Sequence, residues 1–250
     1  RQAKHDIRCV EDIVIEMLRN ARDAHATSIY LATSREQNIK TLVFIDDGDG
    51  IPPEMHERIF EPRVTSKLET MVMDKWGVHG RGMALYSIKA NTDEAQVVVS
   101  GQELGSSLVA RVDLDELAEK TDQSSMPVIA KDDDGELVIV SGPHNLNRTV
   151  IEFALDNMGA LDVFVGSPAE IAATLVERGR SRLSDAQLLF CDDIHSLPVS
   201  FRPAVAGDAA ELVEVCAELG LDMSERTAHR ILSGQIKASR PLLDTLIDQQ

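Results

Sequence analysis

The sequence predicts an α+β fold: helices layered on one face of a mixed β-sheet, with a smaller all-helical module at the C-terminal end. Three observations predict it. Strand-like runs come in neighbouring pairs, 28–33 with 41–45 and 95–100 with 107–112, with helical stretches before and between them. A Ser-Pro-Ala-Glu start at 167–170 puts a capping serine, an N-terminal proline and a glutamate three on, which opens a helix running to Glu177. From Asp208 onward only helical spacing remains.

In chain order, residues 7–26 read as the first helix. SIYLAT (28–33) and TLVFI (41–45) are strands joined by a polar turn at 34–38. DDGDGI (46–51) ends the second strand, because two glycines separated by one residue do not continue it. Pro52 and Pro53 suit the start of a short helix over 54–60. Residues 61–82 show no periodicity, and a loop of that length inside a compact domain is usually functional, here a mobile lid. A helix follows over 81–91, then strands at 95–100 and 107–112. Residues 113–135 are acidic and irregular, a solvated loop; 136–140 and 149–153 read as two more strands. Residues 179–207 carry no clear pattern. Helices over 208–219, 224–232 and 239–248 close the chain, with Gly220 and Gly234 at the breaks.

Lys and Arg number 25 against 42 Asp and Glu, a net charge of −17. Such a field repels nucleic acid and anionic membranes, so DNA contact needs a local basic patch. No run of 18 apolar residues exists, which argues against a membrane span. Three scattered cysteines (Cys9, Cys191, Cys216) suit a reducing, cytoplasmic setting better than a disulfide framework.

The chemistry gathers in three pieces. On a helix turning about 100° per residue, Glu16, Asn20 and Asp23 share a sector of about 60°, away from the apolar side formed by Val14, Met17, Leu18, Ala21 and Ala24. A carboxylate on that polar face can orient and deprotonate a water. The Asp-Gly turn at 46–50 follows an apolar strand. GVHGRG (77–82), with Gly77, Gly80 and Gly82, precedes a helix; freed backbone N–H groups and the positive helix end make an anion cradle, to which His79 and Arg81 would add charge. Together these make a nucleotide site.

EMLRNARDAHATSI, IDDGDGIP and GVHGRGMALYSI, in that order, resemble the N-box and the two glycine boxes of the GHKL ATPases, a superfamily that includes gyrase-type topoisomerases, MutL proteins and histidine kinases. The resemblance covers roughly residues 7–155 and implies a Bergerat ATP-binding fold over 1–155, a connecting segment at 156–207 and a helical module at 208–250. It implies ATP and Mg²⁺ as cofactors. Asn20 would supply an amide oxygen to the metal, Glu16 would act as base and Asp23 would face the nucleotide. Asp46 would read the adenine amine, which its acceptor oxygen suits; Gly48 and Gly50 would let the backbone approach the base, while Asp47 and Asp49 face solvent. IFEPRVTSK (59–67) is similar to the phenylalanine box of histidine kinases, and Thr65-Ser66-Lys67 to the MutL pattern, making Lys67 a candidate phosphate contact.

Gly105-Ser106-Ser107 and Asn147-Arg148-Thr149 both partly match the late Gly-Thr box, and the sequence does not choose between them. An acceptor-histidine helix pair is not expected in the few residues before the N-box, and no transducer domain is recognisable after residue 155. The expected function is a Mg²⁺-dependent ATP hydrolase. The alternatives are a histidine-kinase-like catalytic domain that phosphorylates a partner, and a nucleotide-switched regulator that binds DNA or protein. Residues 218–239 resemble a repressor-type helix-turn-helix, whose second helix carries Arg226, Thr227 and Arg230 as candidate DNA contacts. Between Ser224 and Arg240 four basic residues oppose Glu225 alone. A protein partner, DNA and a second copy of the chain are all left open as partners.

Overall fold

The structure, a computed structural model, describes residues 7–62, 72–74, 77–79 and 84–248, the two short middle stretches as backbone. The elements in order are α1 (Val10–Asp23), β1 (Ser28–Glu36), β2 (Ile39–Asp46), β3 (Val72–Asp74), β4 (Gly77–His79), α2 (Ala84–Ala90), β5 (Glu94–Gly101) and β6 (Gly105–Asp113). There follow β7 (Val128–Lys131), β8 (Leu137–Ser141), α3 (Leu146–Asp156), β9 (Asp162–Gly166), α4 (Pro168–Arg182), α5 (Asp185–Leu189), α6 (Ala209–Glu218), α7 (Glu225–Leu232) and α8 (Leu242–Ile247). The main sheet runs β5-β6-β2-β1-β9. Its first four strands pair antiparallel and β9 joins β1 in parallel, so the sheet is mixed as the sequence predicts.

Alternation along each strand sends side chains to opposite faces, and here both faces are covered. Ile29, Leu31, Leu42, Phe44, Leu108 and Val163 meet α1, α2 and α3 on one side. Tyr30, Val43, Ile45, Val109 and Phe164 meet α4, α6 and α7 on the other. The expectation of helices on one face is corrected: the C-terminal helices are the second layer. The reason is visible in the strands, whose outward residues are as apolar as the inward ones. On that second face Tyr30 stacks on Phe164 at 4.9 Å, and Arg178 caps the pair, its Nε donating to the Tyr30 hydroxyl at 2.9 Å.

Three element readings change. Residues 149–153 lie in α3, not a strand. The β-branched run looks like a strand locally, but Asn145 caps the helix, its side chain accepting from the Arg148 N–H at 2.9 Å. Leu146, Val150, Phe153 and Ala154 then fall at helical spacing on the buried side. β7 lies within the stretch read as a solvated loop, and β9 had no reading at all. β9 is short, and its apolar core Val163-Phe164-Val165 is too brief to separate strand from helix by period.

Asn145 is fully buried, and its Nδ2 also donates to the carbonyls of Asp122 and Ser125, both at 2.7 Å. Asn145→Ala removes a cap and leaves two carbonyls without their donor. Stability should fall by about 3 kcal/mol, lowering Tm by about 6–12 °C for a chain of this size, measurable by calorimetry.

Candidate nucleotide site

Helix α1 is buried nearly all round, including Glu11, Glu16 and Arg19. Asp12 starts it by accepting from the N–H groups of Arg8 (2.8 Å) and Cys9 (3.3 Å). It stops at Asp23 because His25 takes a left-handed φ of 60° and the chain turns into β1. The predicted polar face of α1 is therefore not a solvent face. Glu16 is 6% exposed and accepts from Arg19 Nη1 at 2.5 Å through Oε1. Asn20 presents a buried Nδ2 with no hydrogen-bond partner. A buried amide left unpaired is costly, so its end of the helix is chemically unfinished. The O and N ends of an amide exchange by a simple flip, so this head group can offer either a donor or an oxygen. Asp23 is paired with its neighbour Arg22 at 3.1 Å, and Arg22 lies 6.0 Å over the Phe153 ring.

Asp46 closes β2 and is 5% exposed. Oδ1 accepts from the Gly48 N–H at 2.9 Å and Oδ2 from the Ser106 hydroxyl at 2.5 Å. Burial outweighs these two bonds and raises its carboxyl from 3.8 to about 6. Asp47, read as solvent-facing, is half-buried and does more than meet water. It accepts from Thr27 N–H (2.7 Å), Thr27 Oγ1 (2.7 Å) and Ser28 N–H (2.8 Å), and so ties the loop to the start of β1. Asp49 is exposed, and its carboxylate meets His25 Nδ1 at 2.8 Å.

The two loop glycines answer first to the protein. A Cβ on Gly48 would stand 2.4 Å from the Ala24 carbonyl oxygen, and one on Gly50, with φ +73°, would stand 1.9 Å from that of Gly101. The Asp49 N–H donates to the Ala24 carbonyl at 2.8 Å. The Asp46 loop is thus seated on the last turn of the helix that carries Asn20 and Asp23. Gly50→Ala should cost several kcal/mol, since strain at positive φ adds to a backbone clash, and would be read as a fall in Tm.

Ser106 is the residue the sequence left unresolved. In the β2–β6 register Asp46 stands opposite Ser106, so of the two partial Gly-Thr matches it is 105–107 that reaches Asp46. Arg148 and Thr149 sit in α3. Gly77 and His79 lie on β4, described as backbone paired with β3; Lys67, Gly80, Arg81 and Gly82 lie outside the described residues. Among the described residues no group of three or more His, Cys, Asp or Glu could hold a metal by itself.

Residues 5–116 match the family model of histidine kinase-, DNA gyrase B-, and HSP90-like ATPases. These residues thus form a GHKL-type ATPase domain. Over 84 residues the chain is 38% identical to the DNA mismatch repair protein MutL of Lactiplantibacillus plantarum (strain ATCC BAA-793 / NCIMB 8826 / WCFS1), a match that covers 32% of this chain and 12% of that protein. This chain therefore spans a small part of that relative's length. Among solved structures, full-length ShkA in complex with AMPPNP aligns at 21% identity and a TM-score of 0.32, covering 40% of this chain and 20% of that one. The catalytic domain of the histidine kinase ThkA aligns at 19% and 0.30, covering 40% and 63%. No described helix is long and apolar enough to cross a membrane.

Away from this site, α7 turns Ala228 and Ile231 into the core and Arg226, His229 and Arg230 outward, around a shallow depression also lined by Ser233 and Gln235. Thr227 is set apart from the two arginines. It is half-buried, and its N–H donates to the capping Ser224 hydroxyl at 3.2 Å.

Proposed function

We propose that the GHKL domain binds ATP with Mg²⁺ and hydrolyses it. The observation that carries this reading is the buried Asp46 carboxylate, held by Gly48 and Ser106 in a loop seated on the helix that bears the unpartnered Asn20 amide. Asp46 would accept from the adenine amine, an interaction that a guanine carbonyl at the same place cannot make. Magnesium takes oxygen ligands and commonly binds through one or two protein groups plus phosphates. The Asn20 amide fits that demand, and the metal would neutralise phosphate charge. Glu16 Oε1 is engaged by Arg19, which leaves Oε2 to orient water. Gly77, Gly80 and Gly82 would hold phosphate, with Lys67, His79 and Arg81 supplying charge and Asp23 bordering the nucleotide.

Calorimetric titration with Mg·AMP-PNP and with Mg·GMP-PNP tests the reading. Adenine-selective binding by at least about tenfold is expected, because an unpaired buried polar group costs about 1–3 kcal/mol. Equal binding of both nucleotides, or none, would sink it. Released phosphate then marks hydrolysis, whereas an acid-labile label on a partner protein would mark the kinase alternative.

A second reading, DNA binding by the helical region, rests on the outward Arg226 and Arg230. Against it, α6 exposes Glu211, Glu214 and Glu218, and the first helix of a helix-turn-helix crosses the phosphate backbone. DNA therefore ranks behind a protein partner. Titration of the intact chain on mixed duplex DNA at low salt should show no binding. A tight complex that weakens steeply with salt would reverse that order.

A further inference from the structure

Ser106 and Ser107 are consecutive on β6, so their side chains leave opposite faces of the sheet. Ser106 reaches Asp46 on the nucleotide side. Ser107, fully buried, donates through Oγ to the carbonyl of Leu219 at 2.7 Å, at the end of α6 where the chain turns toward α7. Two residues before Ser106, the Leu104 carbonyl accepts from the Val199 N–H at 2.8 Å. The serine that holds Asp46 is therefore bracketed by two hydrogen bonds to the C-terminal part of the chain. Contact is tight beside them: a Cβ on Gly220, at φ +78°, would stand 2.6 Å from Val109 Cγ2.

The turn between β5 and β6 is fixed equally firmly to the Asp46 loop. The Glu103 N–H donates to the Asp49 carbonyl at 2.7 Å, and the Ile51 N–H donates to Ser100 Oγ at 2.7 Å. That hydroxyl donates in turn to the Gly105 carbonyl at 2.9 Å. One connected set of hydrogen bonds runs from the loop that carries Asp46, through β6, to the junction of α6 and α7.

We propose that Ser107 is a positioning residue through which the α6–α7 junction and the nucleotide site bear on one another. The proposal rests on adenine-nucleotide binding at Asp46. A ligand that fixes Asp46 fixes Ser106, and with it the strand from which Ser107 holds Leu219. Linkage makes the effect reciprocal, so a looser junction goes with weaker nucleotide binding. Contiguity alone does not establish coupling, and the measurement has to perturb each end.

The test is amide hydrogen exchange on the full chain, with and without saturating Mg·AMP-PNP, alongside calorimetric affinity. In the wild type, nucleotide should slow exchange at residues 216–225 at least about threefold, in addition to residues 46–51. Ser107→Ala should weaken affinity about three- to tenfold, the loss expected for one hydrogen bond. At saturation it should keep protection at 46–51 and lose it at 216–225. A general loss of stability would not separate the two segments in that way. Gly220→Ala strains the same junction from its helical side and should also weaken binding. Normal binding by the wild type with no change at 216–225 would overturn the coupling while leaving the ATP reading intact, as would a Ser107→Ala protein that binds and protects like the wild type. Absence of any binding by the wild type would instead remove the ATP reading itself.

Discussion

Asp46→Asn should abolish nucleotide binding and at the same time make the empty protein more stable. Asn is nearly the same shape, so the site survives; what changes is that one oxygen becomes an NH₂ group. The Gly48 N–H claims the remaining oxygen, and an NH₂ group cannot accept from the adenine amine. Affinity should fall at least about 100-fold, the upper part of the range for a buried donor left unpaired. Stability moves the other way. The folded state holds the Asp46 proton at about 6 against 3.8 ordinarily, so the folded state binds that proton more tightly than the unfolded chain. The stability this confers is complete below about pH 4 and is lost as pH rises through about 6. Two units correspond to roughly 2–3 kcal/mol. At pH 7.5 the wild type carries that penalty and the Asn variant does not, so Tm should rise by about 4–8 °C. Near pH 4 the two proteins should melt together. Wild-type affinity should also decline as pH drops below 6, since a protonated Asp46 offers fewer acceptor sites. A variant that loses both binding and stability at pH 7.5 would mean that Asp46 is a structural brace.

Much of this was legible in the residues, and the reasons for the gaps are physical. The strand-like apolar runs at 28–33 and 41–45 gave the central strands, although that same apolar fullness should have signalled a second covered face. Glu16, Asn20 and Asp23 share a sector of α1 as their spacing dictates. What spacing could not show is that Glu16 is buried and Asn20 and Asp23 half-buried, with Arg19 folded onto Glu16. Asp46 was marked by the Asp-Gly turn, but its partner Ser106 lies 60 positions away and is set only by the register of β2 on β6. Asp47 looked like one more acidic loop residue, and only the return of the chain to Thr27 makes it a clamp. The strand-like composition of 149–153 misled because β-branched residues report burial as well as strand. The Asn145 cap four residues upstream was the better signal.

The pairing of Glu16 with Arg19 also decides how the proposed catalytic base has to be tested. Glu16→Ala takes away the carboxylate to which a guanidinium only 3% exposed is bonded. Removing one partner of a buried ion pair destabilises the fold, so lost activity in that variant would not distinguish chemistry from folding. Glu16→Gln keeps an oxygen for Arg19 Nη1 and removes only the ability to take a proton. Mg·AMP-PNP affinity should remain within about threefold of the wild type, and the melting temperature should hold. Phosphate release should fall about 10²- to 10⁴-fold, the contribution typical of a positioned general base. Because binding is kept while turnover is lost, the deficit belongs to the transition state and not to uniform binding. Wild-type turnover by Glu16→Gln would show that the Glu16–Arg19 pair braces α1 and that the water is activated elsewhere. Retained binding with lost turnover would assign the base to Glu16 and leave Arg19 as the residue that aims it.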